Sequence, residues 1–120
     1  WDGYTYEDIR NNRELEKLLE KNLMDLGETV MPRRKDLGIG CTDVGNLTHV
    51  LPALQSYIQV VPELRGHTKE FEEACGSMAG KRAVLVGAKA MAFTAADLLS
   101  SPKAMEKVKQ SFGEMKKRYE

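Results

Sequence analysis

The chain is short of the residues from which reactive centres are most often built. Its 120 residues hold two cysteines, Cys41 and Cys75, and two histidines, His49 and His67. Two cysteines are too few for a disulfide framework, and their setting suggests reduced thiols in a cytoplasmic protein. Neither sign of charge is in excess: 18 Lys plus Arg face 18 Asp plus Glu. A dedicated nucleic-acid binder carries a basic surplus, so that class is disfavoured. The trio Arg33, Arg34 and Lys35 is a small basic patch that reads as a solvated loop. No long hydrophobic run is present. The most apolar stretch, from Ala83 to Ala96, is interrupted by Lys89 and falls short of the roughly 20 residues that span a bilayer, so no membrane partner is expected. No signal peptide opens the chain, which begins on Trp1. The sequence is therefore either processed or a piece of something longer. It has no internal repeat, no Walker or Gly-x-Gly-x-x-Gly pattern, no His-Glu-x-x-His and no Cys-x-x-Cys. A nucleotide or anion binder consequently ranks last. At this length one domain is the upper bound, with a modest core and little room for a lid.

Amphipathic stretches dominate what is there. Leu15, Leu18, Leu19, Leu23 and Leu26 fall at 3-4 spacing and predict a helix from Asn12 to Leu26. Asn11 or Asn12 can cap its start, and Gly27 ends it. Thr68 reads as the N-cap of a second helix, with Glu70, Glu72 and Glu73 in its first turns. From Gly76 to Ser101 a third helix is small on nearly every side, through Gly80, Ala83, Gly87, Ala88, Ala90, Ala92, Ala95 and Ala96. A helix apolar all round is buried on more than one face, and 120 residues offer little chain to bury it. Ser101 and Pro102 open a last helix whose stripe is Met105, Val108, Phe112, Met115 and Tyr119. Two strands are predicted. Ile39–Val44 is short, apolar and flanked by glycine, and Leu54–Val61 is β-branched, aromatic and fenced by Pro52 and Pro62.

Candidate chemistry concentrates between Gly38 and Phe71, which holds both histidines, four glycines and two prolines. Loops on a rigid scaffold are where chemistry usually resides. His67, between Gly66 and Thr68 at the mouth of a helix, can serve as a metal ligand or base. A lone histidine is more often neither, and metal sites need three or four ligands. Cys41, Asp43 and His49 are its possible company. Thr42, Asp43, Gly45 and Asn46 offer a hydroxyl, a carboxylate, bare backbone and an amide at one edge, a set able to hold a polar substrate group. The plainer alternative is an Asx-type turn in which Asp43 and Asn46 bond their own backbone. Cys41 and Cys75 read as small buried hydrophobes, and Met78, Met91, Met105 and Met115 as packing.

Three blocks of sequence are more specific than any of these features. They are Cys-Thr-Asp-Val-Gly-Asn-Leu-Thr-His-Val-Leu-Pro from Cys41, Gly-His-Thr-Lys-Glu-Phe from Gly66, and Ala-Lys-Ala-Met-Ala-Phe-Thr-Ala-Ala-Asp-Leu-Leu from Ala88. Together they resemble the C-terminal part of the two-metal amidohydrolases. That group comprises the aminoacylases and glutamate-carboxypeptidases among the zinc peptidases, and the likeness is nearest to its p-aminobenzoyl-glutamate hydrolase-like branch. It runs from about Tyr6 to the end of the chain. It implies an α/β fold in which residues 1–120 are the C-terminal segment of an α/β sandwich catalytic domain. That segment would have two or three strands with three or four helices and be incomplete by itself, lacking the dimerisation domain and the N-terminal half. The parent enzyme would use two divalent metal ions, zinc by resemblance, to cleave the amide bond of an N-acyl amino acid or dipeptide-like substrate. Of the family's ligands only the last histidine maps here, onto His67. The catalytic glutamate lies outside the chain. Thr42, Asp43, Gly45 and Asn46 match the substrate side, Cys41 stands where a small residue is usual, and the match leaves His49 without a role. The implied partners are the amide substrate, the missing half of the catalytic domain and a second copy of the chain. The segment alone is expected to be inactive. The rival reading is a small non-catalytic α/β interaction module.

Overall fold

Capping and amphipathic spacing set most of the architecture. The computed structural model describes residues 3, 5–31 and 42–119. In chain order it contains α1 (Arg13–Asp25), α2 (Val44–Val50), α3 (Lys69–Gly76), α4 (Met78–Ser100) and α5 (Pro102–Tyr119). The Asn12 side chain accepts from the backbone N–H groups of Glu14 and Leu15 and so fixes the start of α1. Gly27, at φ 84°, takes the left-handed conformation that ends it. Thr68 accepts from Phe71 N at 3.2 Å and Ser101 from Ala104 N at 3.2 Å, so both expected caps are in place. Pro102 is the first residue of α5, where its missing N–H is harmless.

The leucine stripe seats α1 against α4 and α5. Leu19 is buried, and Leu15, Leu18, Leu23 and Leu26 are half-buried. Burying Leu19 stabilises the fold by about 2 kcal/mol. Between the leucines lies Asn22, also buried. Its amide donates to Thr94 Oγ1 at 3.1 Å and to Asp97 Oδ2 at 2.9 Å, a satisfied polar bridge that fixes the register of α1 on α4. α4 is the hub, with α1, α3 and α5 all packed on it. Its inward residues are Gly80, Ala83, Val86, Ala90 and Thr94. Gly80 is required: a Cβ there would lie 2.1 Å from the carbonyl oxygen of Cys75, at the corner between α3 and α4. The opposite side of α4 is open and apolar, with Val84, Met91 and Leu99 at 74%, 64% and 84% exposure. The 23 residues of α4 are also long and apolar enough, by length and composition, to cross a membrane, which the shorter run from Ala83 to Ala96 did not suggest. Its inward stripe is nevertheless taken up by packing against protein.

The expected α/β architecture is corrected: among the described residues the fold is all helical, five helices with no strand and no sheet. Leu54–Val61 carries the composition of a strand, but no neighbouring strand forms a ladder with it among the described residues. Strand identity is completed by a partner, which composition cannot supply. Of the other expected strand, residues 39–41 lie outside the described residues, Thr42 and Asp43 lead into a helix, and Val44 begins it. Cys41 likewise lies outside the described residues, as does the trio Arg33, Arg34 and Lys35.

Candidate functional site

The Thr-Asp-Val-Gly-Asn-Leu-Thr-His block is a helix start, and its inner face grips the N-terminal segment. Seven residues that include glycine, asparagine, threonine and two valines make a poor isolated helix. α2 is held by what it docks on. Gly45 is buried, and a Cβ on it would fall 2.0 Å from the carbonyl oxygen of Glu7, so only glycine admits that backbone. The Asn46 side chain donates to Thr5 O at 3.0 Å and accepts from Glu7 N at 3.3 Å. Thr48 is fully buried; its hydroxyl accepts from Arg10 N at 3.0 Å and donates to Gly45 O at 2.6 Å. His49 Nε2 lies 2.9 Å from Asp8 O and 3.3 Å from Asp8 Oδ1. Three side chains at helical spacing, Asn46, Thr48 and His49, thus hold residues 5–10 by their backbone.

The grip continues into the rest of the fold. The Asn11 side chain donates to Gln55 O at 3.1 Å and accepts from Gln55 N at 2.9 Å, and Asn12 N donates to Ala53 O at 2.9 Å. The Asn12 amide, already capping α1, also donates to Val108 O of α5 at 3.0 Å. Arg10 makes two hydrogen bonds to Asp8, at 3.0 and 3.1 Å, and its guanidinium lies 4.1 Å from the centre of the Tyr119 ring. The Arg10 hydrogen bonds are the main reason the Asp8 carboxyl is held below the usual carboxylate range. A cleft of about 320 Å³ opens here, lined by Glu7, Arg10, His49, Met115, Lys116 and Tyr119.

Of the sequence-predicted site residues, Gly45 and Asn46 belong to this clasp. Asn46 spends its amide on Thr5 and Glu7, not on its own backbone, so it forms no Asx turn. Asp43 occupies the N-cap position of α2 without a side-chain capping bond, and Thr42 Oγ1 accepts from Val44 N at 3.3 Å. His49, which had no assigned role, is a principal contact, and Thr48 was not singled out at all. The only signal for either was the 3-4 spacing from Gly45, read against residues with weak helix propensity.

Two groups bear on metal binding. Ligand atoms of Glu7, Asp8 and His49 all lie within 4.8 Å of one another. Both Asp8 oxygens are engaged by Arg10, however, and the His49 nitrogen on that side already meets the Asp8 carbonyl. A cation would have to displace the guanidinium, so this donor set is built as a salt-bridged clasp. His67 is different. It is exposed, it adopts φ 63°, and no group of three His, Cys, Asp or Glu ligands among the described residues includes it. The described residues therefore do not by themselves compose a two-metal centre. Cys75 is exposed on α3, which corrects its reading as a buried hydrophobe.

Known proteins place the chain more closely. No protein-family model matches it. It is similar to Xaa-Arg dipeptidase of Homo sapiens, 30% identical over 112 residues, which is 92% of this chain and 26% of that protein. It is also similar to Xaa-Arg dipeptidase of Mus musculus, 37% identical over 73 residues, or 61% of this chain and 17% of that protein. The chain thus spans about a quarter or less of the curated relatives it matches. Both likenesses support the peptidase and amidohydrolase family to which the three sequence blocks point. They do not select the p-aminobenzoyl-glutamate hydrolase-like branch.

Proposed function

We propose that this chain is one segment of a metal-dependent hydrolase that cleaves the amide bond of a dipeptide-like substrate or N-acyl amino acid. The observation that carries it is the likeness to a dipeptidase over 112 residues, which takes in the Thr-Asp-x-Gly-Asn and His-Thr-x-x-Phe blocks. In this reading His67 is one terminal ligand of a centre with two divalent metal ions, zinc by resemblance, and the other ligands and the catalytic glutamate come from the rest of the hydrolase. Bound metal would polarise the amide carbonyl and activate water. Thr42 and Asp43, at the open end of α2, face the substrate side, while Gly45 and Asn46 hold that end in place through their grip on residues 5–7. The placement of the enzyme in the cytoplasm belongs to the same proposal.

The exposed position of His67 suits a ligand that meets its metal at a boundary with other chain. The decisive experiment grafts this chain into the human dipeptidase in place of that protein's own matching segment. The chimaera should hydrolyse an Xaa-Arg dipeptide in a chelator-sensitive way, and His67→Ala should lower turnover by at least about a hundredfold. A folded chimaera that is inactive, or whose activity ignores His67→Ala, would overturn the proposal. The isolated chain is expected to show no turnover.

A further inference from the structure

We propose that Thr68 is the positioning residue of His67 and that it acts through the proton of its hydroxyl. His67 lies in an unusual turn. It adopts φ 63°, a conformation that glycine takes freely and histidine does not. Gly66 stands immediately before it, yet among the described glycines only Gly27 has a positive φ. The residue suited to left-handed backbone is therefore not the one that uses it. Nor is the turn closed through the main chain: among the described residues no backbone hydrogen bond joins Thr68 to Arg65. The Thr68 hydroxyl makes the closure instead, donating to Arg65 O at 3.0 Å.

The same oxygen accepts from Phe71 N at 3.2 Å and starts α3. One hydroxyl thus ties the carbonyl two residues before His67 to the first turn of the helix after it. Because α3 packs on α4, the tie connects the exposed His67 to the hub of the fold. The two bonds make different demands. Capping needs only an acceptor, which serine and aspartate supply as well as threonine. Closing the turn needs a proton, which serine has and an ionised aspartate lacks. Residue 68 can therefore keep its helix and still release His67. Glu63 is the internal comparison: it is left-handed too, at φ 58°, but lies outside the closure from Arg65 to Thr68. A ligand that stands on exposed chain holds its metal only as firmly as its own backbone is held, and outer groups that fix a ligand commonly contribute tenfold or more to metal affinity.

The inference rests on the hydrolase reading for what His67 meets, but not for how His67 is held, and two measurements keep these apart. In the 120-residue chain, NMR couplings that report φ should show His67 left-handed in the parent and in Thr68→Ser. In Thr68→Asp they should shift toward ordinary negative φ at His67, with Glu63 unmoved and helical circular dichroism unchanged. In the chimaera with the human dipeptidase, Thr68→Asp should weaken zinc retention against a competing chelator at least about tenfold, while Thr68→Ser matches the parent. An added carboxylate by itself favours a cation, so a loss in Thr68→Asp does not come from charge. A left-handed His67 that survives in Thr68→Asp, an equal change at Glu63, or zinc retention that Thr68→Asp does not lower would each overturn the proposal. A chimaera that holds no zinc with Thr68 in place would instead overturn the hydrolase reading, while the couplings in the 120-residue chain decide the closure.

Discussion

The two histidine regions of this chain are built in opposite ways. His49 stands on the inner face of α2, beside Gly45, Asn46 and Thr48, and its ring meets Asp8. Asn46, Thr48 and the His49 ring each meet a partner from residues 5–10. His67 stands at the mouth of α3 in left-handed backbone, exposed and away from any ligand cluster among the described residues. The first region is finished within the chain and contributes to its stability. The second holds a non-glycine residue in a conformation that costs energy, which is where functional strain is commonly stored. Burial and hydrogen bonding make His49 part of the fold, whereas His67 shares its left-handed backbone with the exposed Glu63, at φ 58°.

Substitutions can break that contrast, beginning with the most damaging. Gly45→Ala puts a methyl group into the Glu7 carbonyl and should destabilise the chain by about 2–4 kcal/mol, read from the midpoint of urea denaturation. The exposed Gly66, with nothing within 4 Å of its Cβ position, should tolerate alanine far better. Thr48→Val keeps the shape but strands Arg10 N, and a loss of about 1–3 kcal/mol is expected by the same measurement. His49→Ala should lose about 1 kcal/mol, whereas His67→Ala should stay within about 0.5 kcal/mol. Equal losses at the two histidines would abolish the distinction. His67→Gly should stabilise by about 0.5–1 kcal/mol, because glycine takes φ 63° without steric penalty. A loss there would mean that the ring makes a contact of its own.

The smallest effect is in pH. Arg10 holds the Asp8 carboxyl low in the folded chain, so the pair contributes fully above the unfolded value, near pH 4, and the contribution fades as pH falls through the lowered folded value. Asp8 is exposed, which keeps the contribution small. The difference in stability between the parent chain and Asp8→Asn should shrink between about pH 5 and pH 3. A difference that grows on acidification would contradict the clasp.

Helix ends and stripes were legible because they are local. Asn12, Gly27, Thr68, Ser101 and Pro102 each satisfy or punctuate backbone within four residues, so their neighbours in sequence suffice to read them. The stripes on α1 and α5 were legible for the same reason. α2 was not, since its helix is imposed by contact with residues about 40 positions earlier, and its composition favours a turn. The strand at Leu54–Val61 was read from β-branched and aromatic residues, but a ladder belongs to two segments, and among the described residues the second is missing. His67 was picked out by its block alone and lies outside the clasp, while the work of Thr48 and His49 became visible only with the N-terminal segment beside them.

Asn12 has a consequence for how the chain is made. One side chain caps α1 and also donates to Val108, 96 residues later in the sequence. During synthesis the cap can form as soon as the first helix leaves the ribosome. The second bond must wait for 96 further residues, roughly ten seconds at about 5–20 residues per second. Until then α1 can exist as a capped helix without its final neighbours, its leucine stripe open to chaperones. A ribosome stalled before Val108 would thus carry a nascent chain with α1 capped but not anchored to α5.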